Sequence, residues 1–191
     1  IHYGTNKGDQ AASIDHNDIL FNWSFNYAGG ISVEGPPSAV LGTPSAGTGP
    51  VEIDSNRIQG NFANLDGGGI SVLYANNYLV RIENNMIVNN ITGELGGGLP
   101  VHDAGNLVVI NNTIASNTST STNLPMDPGA HGAGLAIFPN TTPFQSILPA
   151  GSPTFSDVFL FNNIFWSNDA YTWDNTAKSL FDRGPLDIEI Y

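Results

Sequence analysis

Three carboxylates occupy one position in successive copies of a sequence repeat. Asp15, Asp54 and Glu83 each lie two residues before the asparagine that opens a copy. Ca²⁺ takes roughly six to eight oxygen ligands, which carboxylates and carbonyls supply, so this position predicts a weak Ca²⁺ site. The alternative is a solvated acidic stripe, whose like-charge repulsion Arg57 and Arg81 would partly relieve. No other cofactor is expected.

Four further polar residues could do chemistry. Asp66 precedes a glycine cluster, His102 and Asp103 are adjacent, and His131 lies in a long glycine-rich turn. A histidine beside a carboxylate can move protons near neutral pH. No serine or cysteine lies at a spacing that would predict a nucleophile beside these residues. The alternative is that His102 and Asp103 are an ordinary pair in a turn and that His131 is simply exposed.

Alternating aromatic residues suggest a third kind of site. Trp23 and Tyr27 flank Phe25, and Tyr171 and Trp173 alternate in the same way near the end of the sequence. Exposed rings on a strand can stack on the apolar faces of sugars, which predicts carbohydrate binding. The alternative is an aromatic contact in the core or at a subunit interface.

Composition excludes several classes of function. The chain has 191 residues, no cysteine, 5 Lys+Arg and 17 Asp+Glu, for a net charge of −12. Nucleic acids are excluded as partners because phosphate binding needs basic patches. No apolar run is long enough to span a membrane. The low lysine content and the many asparagines favour a secreted or cell-surface bacterial protein.

The elements that would position these residues come from an internal repeat. Apolar residues alternate just before each copy, and a glycine cluster with a second alternating run follows, so the repeat predicts three short strands. The pattern Asn-x-(Ile/Phe)-x-x-Asn begins at Asn17, Asn56, Asn85, Asn112 and Asn163.

This repeat predicts an all-β fold, a right-handed parallel β-helix of about five to six coils with uncapped ends. Residues 1–191 are expected to form one domain that is a piece of a longer polypeptide, with insertions at 35–50, 118–128 and 138–156. The opening asparagines should sit at left-handed bends. Asn84, Asn111 and Asn162, each one residue earlier, should stack as an amide ladder.

The asparagine coils and Gly-Gly-Gly-Ile strands resemble the pectin-lyase-like superfamily. They are most similar to the repeats of large secreted bacterial surface proteins, akin to polymorphic outer-membrane-protein repeats. Residues 84–90, 109–114 and 160–166 also resemble β-helical regions of bacterial proteins named multicopper oxidases. Copper chemistry is excluded in this chain itself, which has no cysteine and no His-x-His pair.

Two motifs resemble those of pectin-degrading relatives but are incomplete. Residues 13–16, Ser-Ile-Asp-His, have serine where pectate lyases have tryptophan. Residues 129–132, Gly-Ala-His-Gly, lack the companion Asp-Asp pair that inverting hydrolysis of a glycosidic bond would use. Enzymatic activity is therefore uncertain and the less favoured interpretation.

Three functions remain open at this point. The first is a non-catalytic scaffold, adhesion or assembly segment, whose partners at the open ends are further β-helix coils or other subunits. The second is a module that binds or degrades polysaccharide, which rests on analogy of fold. The third is the accessory region of a redox protein of the multicopper-oxidase type.

Overall fold

The computed structural model describes residues 1–3, 11–122, 131–174 and 176–191. This part of the chain is all-β, with 22 strands and one short helix, α1 (Thr142–Gln145). The strands form four sheets, here named A to D, in which every pairing is parallel except one antiparallel hairpin. The predicted all-β class and parallel pairing are confirmed.

Within each sheet the strands lie side by side in the order of the chain. Sheet A contains β1 (His2–Tyr3), β5 (Ile31–Glu34), β9 (Ile70–Asn76), β13 (Leu99–Ala104), β17 (Leu135–Ile137) and β22 (Ile188–Ile190). Sheet B contains β2 (Ala12–Asp15), β6 (Val51–Asp54), β10 (Val80–Glu83), β14 (Leu107–Ile110) and β18 (Val158–Phe161). Sheet C contains β3 (Asp18–Leu20), β7 (Arg57–Gln59), β11 (Met86–Val88), β15 (Thr113–Ala115) and β19 (Ile164–Trp166). Sheet D contains β4 (Trp23–Ser24), β8 (Phe62–Ala63), β12 (Ile91–Thr92), β16 (Thr118–Ser119), β20 (Asp169–Asp174) and β21 (Ser179–Pro185).

The chain visits the sheets in the order B, C, D, A and then returns to B beside the strand it left. We call one such passage a circuit and number the circuits 1 to 5, beginning at β2, β6, β10, β14 and β18. Each circuit lies about 4.8 Å beyond the last, the spacing of paired strands. The prediction of three strands per repeat is wrong by one, because the two-residue strands of sheet D are too short to show alternation.

Equivalent apolar residues of successive circuits stack in register, in the space that the sheets enclose. The column in sheet B runs through Ile14, Ile53, Ile82, Val109 and Leu160, as predicted. The column in sheet C runs through Ile19, Ile58, Ile87, Ile114 and Phe165, also as predicted. The middle members of both columns are fully buried, so these columns form the core.

At the bends between sheets B and C, the opening asparagine and the residue before it have the opposite roles to those predicted. The residue before each opening asparagine has left-handed backbone geometry, as at Ser55 (φ 56°) and Asn84 (φ 56°). Asn84, Asn111 and Asn162 are exposed at these bends, with single side-chain bonds such as Asn162 Nδ2 to Asn111 Oδ1 at 2.7 Å. A short polar side chain tolerates this conformation, which accounts for the asparagines found there.

The opening asparagines instead form a ladder, which we call ladder 1, and its three middle members are buried. Asn56 donates from its backbone N and from Nδ2 to Asn85 Oδ1, at 2.9 and 3.0 Å, and Asn85 does the same to Asn112. The side-chain amide oxygen thus accepts a hydrogen bond from the backbone N–H that the bend would otherwise leave without a partner. Ladder 1 runs through Asn17, Asn56, Asn85, Asn112 and Asn163.

A second ladder, ladder 2, lies at the bend between sheets C and D. Its asparagines close the repeat pattern and make the same pair of bonds from one circuit to the next. Asn168, the last of them, donates to Asp187 Oδ1 from N and from Nδ2, at 3.1 and 2.6 Å. Ladder 2 runs through Asn22, Asn61, Asn90, Asn117 and Asn168.

The glycines before sheet A are required by a close approach between circuits. A Cβ at Gly68 would lie 2.5 to 2.7 Å from the backbone O, N and C of Ile91 in the next circuit. A Cβ at Gly97 would meet the backbone of Thr118 in the same way. The glycine clusters therefore allow the D-to-A bend of one circuit to pack directly on the backbone of the sheet D strand in the next circuit.

Residues 35–50 and 138–156 both follow strands of sheet A, and together they line a surface cavity of about 290 Å³. Phe144 of α1 is fully buried, and Ser156 Oγ accepts a hydrogen bond from the backbone N of Ala104 at 3.0 Å. The segment 138–156 is thus packed on the sheets. In the predicted 118–128 insertion, Thr118–Ser119 form β16, and residues 123–130 lie outside the described residues.

In the described part of the chain, no helix has the length and apolar character needed to cross a membrane.

Candidate functional site

The three carboxylates predicted to bind Ca²⁺ do stack on the outer face of sheet B. Asp15 pairs in register with Asp54, and Asp54 with Glu83. The next residues in this column are apolar, Ile110 and Phe161.

Each of these carboxylates is engaged by its own neighbours. Ser13 Oγ donates to Asp15 Oδ1 at 2.8 Å and His16 Nδ1 lies 3.1 Å from Oδ2, and these contacts lower the pKa of Asp15. Arg81 Nη1 donates to Glu83 Oε2 at 2.8 Å. Among the described residues, no three His, Asp or Glu side chains form a group that could hold a metal ion. The Ca²⁺ site stays a prediction.

The outer face of sheet A carries a row of stacked rings. His102 and Phe138 are parallel within 8° with centroids 3.9 Å apart, and Phe138 and Tyr191 are parallel within 7° at 4.9 Å. The three residues directly follow Val101, Ile137 and Ile190, which pair in register in neighbouring strands, so parallel register places the three rings side by side. Both faces of the Phe138 ring are covered, which leaves no open face there for a sugar.

This aromatic row links two of the predicted polar residues and extends to a third. His131 Nδ1 shares a hydrogen bond with Tyr191 Oη at one end. At the other end His102 Nε2 lies 3.6 Å from Asp66 Oδ2. Asp66 is 5% exposed, and its Oδ1 accepts a hydrogen bond from the backbone N of Leu95 at 3.1 Å. Asp66, His102 and His131 therefore belong to one surface.

Two further titratable groups lie beside Asp66. Burial raises the pKa of Glu94 to about 7, and the negative charge of Asp66 adds to this shift. Burial also raises the pKa of Tyr27, with smaller contributions from the charges of Asp66, Tyr74, Glu94 and Glu34. Tyr27, Asp66, Glu94 and His102 thus form a mixed acidic and basic cluster, which we call the sheet A cluster.

Glu94 was not among the predicted residues, although its position in the sequence gives a signal. Glu94 and Asp66 each lie just before a glycine cluster, in circuits 3 and 2. The Asp103 carboxylate is engaged by Thr141 and not by its sequence neighbour His102. It accepts hydrogen bonds from Thr141 N at 2.7 Å and Thr141 Oγ1 at 2.6 Å. Asp103 is 3% exposed and anchors the start of α1, so the two residues do not act as a pair.

The predicted carbohydrate-binding aromatics do not converge on one place. Trp23 lies in β4 and packs edge to face against Phe25, with centroids 6.2 Å apart. Tyr171 and Trp173 lie in β20, four strand positions away in sheet D. That separation is roughly 19 Å at the usual strand spacing. Tyr27 belongs instead to the sheet A cluster.

A feature that the sequence did not predict is an apolar corner between sheets B and C in circuit 5. Its four side chains are 60 to 68% exposed, and none is charged. In circuits 1 to 3 the same columns carry charged residues such as Asp15, Arg57 and Glu83. The surface therefore changes from charged to apolar along the stack. The apolar corner consists of Phe159, Phe161, Ile164 and Trp166.

Substitution of Glu94 by glutamine is expected to flatten the pH dependence of stability. Folding raises the pKa of Glu94 from 4.5 to about 7, so the folded protein binds this proton more tightly than the unfolded chain does. The stability that the protonated carboxyl contributes is present below about pH 4.5 and is lost as pH rises to about 7. Urea midpoints of wild type and Glu94→Gln across that window measure the difference.

The exposed Glu52 supplies the control, since Glu52→Gln should leave the slope as it is in wild type. Superimposable pH profiles for Glu94→Gln and wild type would contradict the assigned environment of Glu94.

Comparisons with protein-family models, with curated proteins and with solved structures find no significant match to this chain.

Proposed function

We propose that the chain is a right-handed parallel β-helix of the pectin-lyase-like type that serves as a non-catalytic scaffold or assembly segment of a secreted or cell-surface protein. The parallel sheets and in-register columns support the β-helix. The high asparagine and low lysine content supports the location. Each circuit is then one coil of the β-helix.

The observation that carries this proposal is the apolar corner. Contiguous exposed apolar surface on a soluble protein is typical of an interaction site. Here four large side chains stand together on β18 and β19, in a chain whose net charge is −12. An uncharged patch is where an acidic chain meets the least repulsion from another acidic surface.

Removal of the apolar corner should abolish association. The wild-type chain is expected to form reversible dimers as its concentration rises, because a twofold contact pairs this corner with itself. Phe161→Ser/Trp166→Ser should remain monomeric. Sedimentation velocity over a concentration series measures both.

Trp23→Ser/Phe25→Ser is the matched control, since these side chains are 65 and 68% exposed at the opposite end of the stack. This variant should associate like the wild type. Equal association of all three proteins would show that the corner does not drive assembly.

Polysaccharide binding is the second candidate, and the sheet A cluster favours it. A half-buried carboxyl with a pKa near 7 beside a second carboxylate can both donate and accept hydrogen bonds to sugar hydroxyls. The cluster is acidic, so neutral oligosaccharides should bind in preference to uronic acids. Calorimetry with neutral and acidic oligosaccharides tests this, and Glu94→Ala should weaken any binding at the cluster. Binding that Glu94→Ala leaves unchanged would place the sugar elsewhere.

A further inference from the structure

The acceptor sequence for asparagine-linked glycans, Asn-x-Ser/Thr, occurs five times in the chain. In a secreted protein this sequence is where an asparagine side chain can take a sugar. The fold tolerates a glycan only where the amide nitrogen is exposed and is not needed for a hydrogen bond within the chain, because the glycan is bulky and replaces one N–H. The five copies begin at Asn22, Asn90, Asn111, Asn117 and Asn140.

Two of the five copies are closed to a glycan by ladder 2. Asn90 and Asn117 are both 0% exposed. Asn90 Nδ2 donates to Asn117 Oδ1 at 3.0 Å and to Ile58 O at 2.9 Å, so both of its protons are used. Asn117 Nδ2 donates in the same way to Asn168 Oδ1 and Ile87 O, both at 2.9 Å. A sugar on either nitrogen would replace a buried hydrogen bond in a place that has no room for it.

Two more copies have an amide nitrogen that the chain itself holds. Asn22 Nδ2 donates to Asn61 Oδ1 at 2.9 Å, within ladder 2. Asn140 is half-buried, and its Nδ2 donates to Gln145 Oε1 at 2.8 Å, next to α1. A glycan at either position would compete with a contact that the fold makes.

The copy at Asn111 differs from the other four in each of these respects. Asn111 is exposed at a left-handed B-to-C bend, with φ 56°. Its Nδ2 has no hydrogen-bond partner among the described residues, and its Oδ1 accepts from Asn162 Nδ2 at 2.7 Å. A glycan attaches to the nitrogen, so this bond to Oδ1 survives. The Thr113 hydroxyl, which completes the acceptor sequence, also has no partner within the described ranges and lies on the half-buried outer side of β15.

The acceptor sequence at Asn111 lies directly beside the apolar corner. Thr113 pairs in register with Ile164 of the corner. The backbone N of Asn111 donates to the backbone O of Phe161, another member of the corner, at 3.1 Å. A hydrated oligosaccharide on Asn111 would therefore stand between this surface and a second protein.

We propose that Asn111 is a glycan attachment site and that its glycan controls association through the apolar corner. Attachment rests on the proposed secreted location, and control rests on the proposed assembly function. The donor is an oligosaccharide activated on a lipid diphosphate. Asn111 Nδ2 forms a bond to the anomeric carbon and loses one proton to a base of the transferring enzyme. The bond from that carbon to the diphosphate oxygen breaks, and the lipid diphosphate leaves with the electron pair.

Secretion of the chain by a eukaryotic host that glycosylates Asn-x-Ser/Thr tests attachment. Peptide mapping of the folded, purified protein should find a glycan at Asn111, with higher occupancy than at any of the other four copies. Asn90 and Asn117 should carry none. Thr113→Val removes the acceptor sequence and should lose the glycan. Thr113→Ser is the matched control, because it keeps the sequence and should retain the glycan.

Sedimentation velocity on the same preparations tests control of association. The glycosylated protein should stay monomeric at concentrations at which Thr113→Val from the same host forms dimers. Thr113→Ser should behave like the glycosylated wild type.

Each contrary result falls on a different part of the proposal. Folded protein without a glycan at Asn111, or with one at Asn90 or Asn117, would overturn the attachment site. Glycosylated protein that dimerises as readily as Thr113→Val would overturn the control of association. If Thr113→Val does not associate either, the proposed assembly function fails together with its control, whereas the occupancy of Asn111 is decided by the peptide map alone.

Discussion

Replacement of Asn90 by leucine should lower the free energy of unfolding by about 3 to 5 kcal/mol. Asn90 is fully buried in ladder 2 and accepts from Asn61 N and Nδ2, at 3.0 and 2.9 Å. It also donates to Asn117 Oδ1 and to Ile58 O. Leucine fills a similar volume but leaves several buried polar groups without a hydrogen-bond partner. Each such group lowers the stability by about 1 to 3 kcal/mol. Urea unfolding measures the loss.

The neighbouring Asn89 gives the matched control. It is exposed, with φ 56°, a conformation that glycine adopts freely. Asn89→Gly should therefore change stability by no more than about 0.5 kcal/mol. If Asn90→Leu were as mild as Asn89→Gly, the ladder would not be a source of stability.

Truncation of Phe144 to alanine should cost about 3 to 5 kcal/mol, the range for removal of a buried aromatic side chain. Phe144 is fully buried although it belongs to a four-residue helix in a long connection. Its ring lies close to Gly105, at which a Cβ would be 3.1 Å from Phe144 Cζ. The thermal midpoint and the urea midpoint should both fall.

Phe159→Ala is the comparison, since Phe159 is 60% exposed and its removal leaves no cavity. It should leave stability nearly unchanged. A similarly small effect of Phe144→Ala would mean that the segment 138–156 is loosely attached to the sheets.

The core columns were predictable because period-two alternation and the asparagine register are both visible in the sequence. Ile53, Ile82 and Val109 each stand three residues before an opening asparagine, and the structure stacks them in that register. Sheet D was not predictable, since strands such as Phe62–Ala63 are too short to alternate.

The exchange of roles at the bends has a physical cause. Asparagine suits a left-handed bend and also suits a buried amide ladder, so sequence alone does not distinguish Asn84 from Asn85. The structure does, because only Asn85 points inward, 1% exposed. Ser55 and His16 occupy the bend in other coils, which was the available hint.

The polar candidates were partly predictable and their grouping was not. Asp66, His102 and His131 come from three different coils, and they meet through the rings of Phe138 and Tyr191. Such a contact depends on the stacking register of sheet A. The apolar corner likewise emerges only when the coils are aligned, so that Asp15 and Phe161 fall in one column.

Amide hydrogen exchange, residue by residue, tests the central claim that stacked coils are held by asparagine ladders. The backbone N–H groups of Asn56, Asn85 and Asn112 should exchange slowly, because each donates to the side chain of the next coil. Those of Asn162, Asn163 and Ser167 should exchange fast, because they have no acceptor among the described residues. Equal protection of the two groups, or fast exchange at Asn85, would contradict the account.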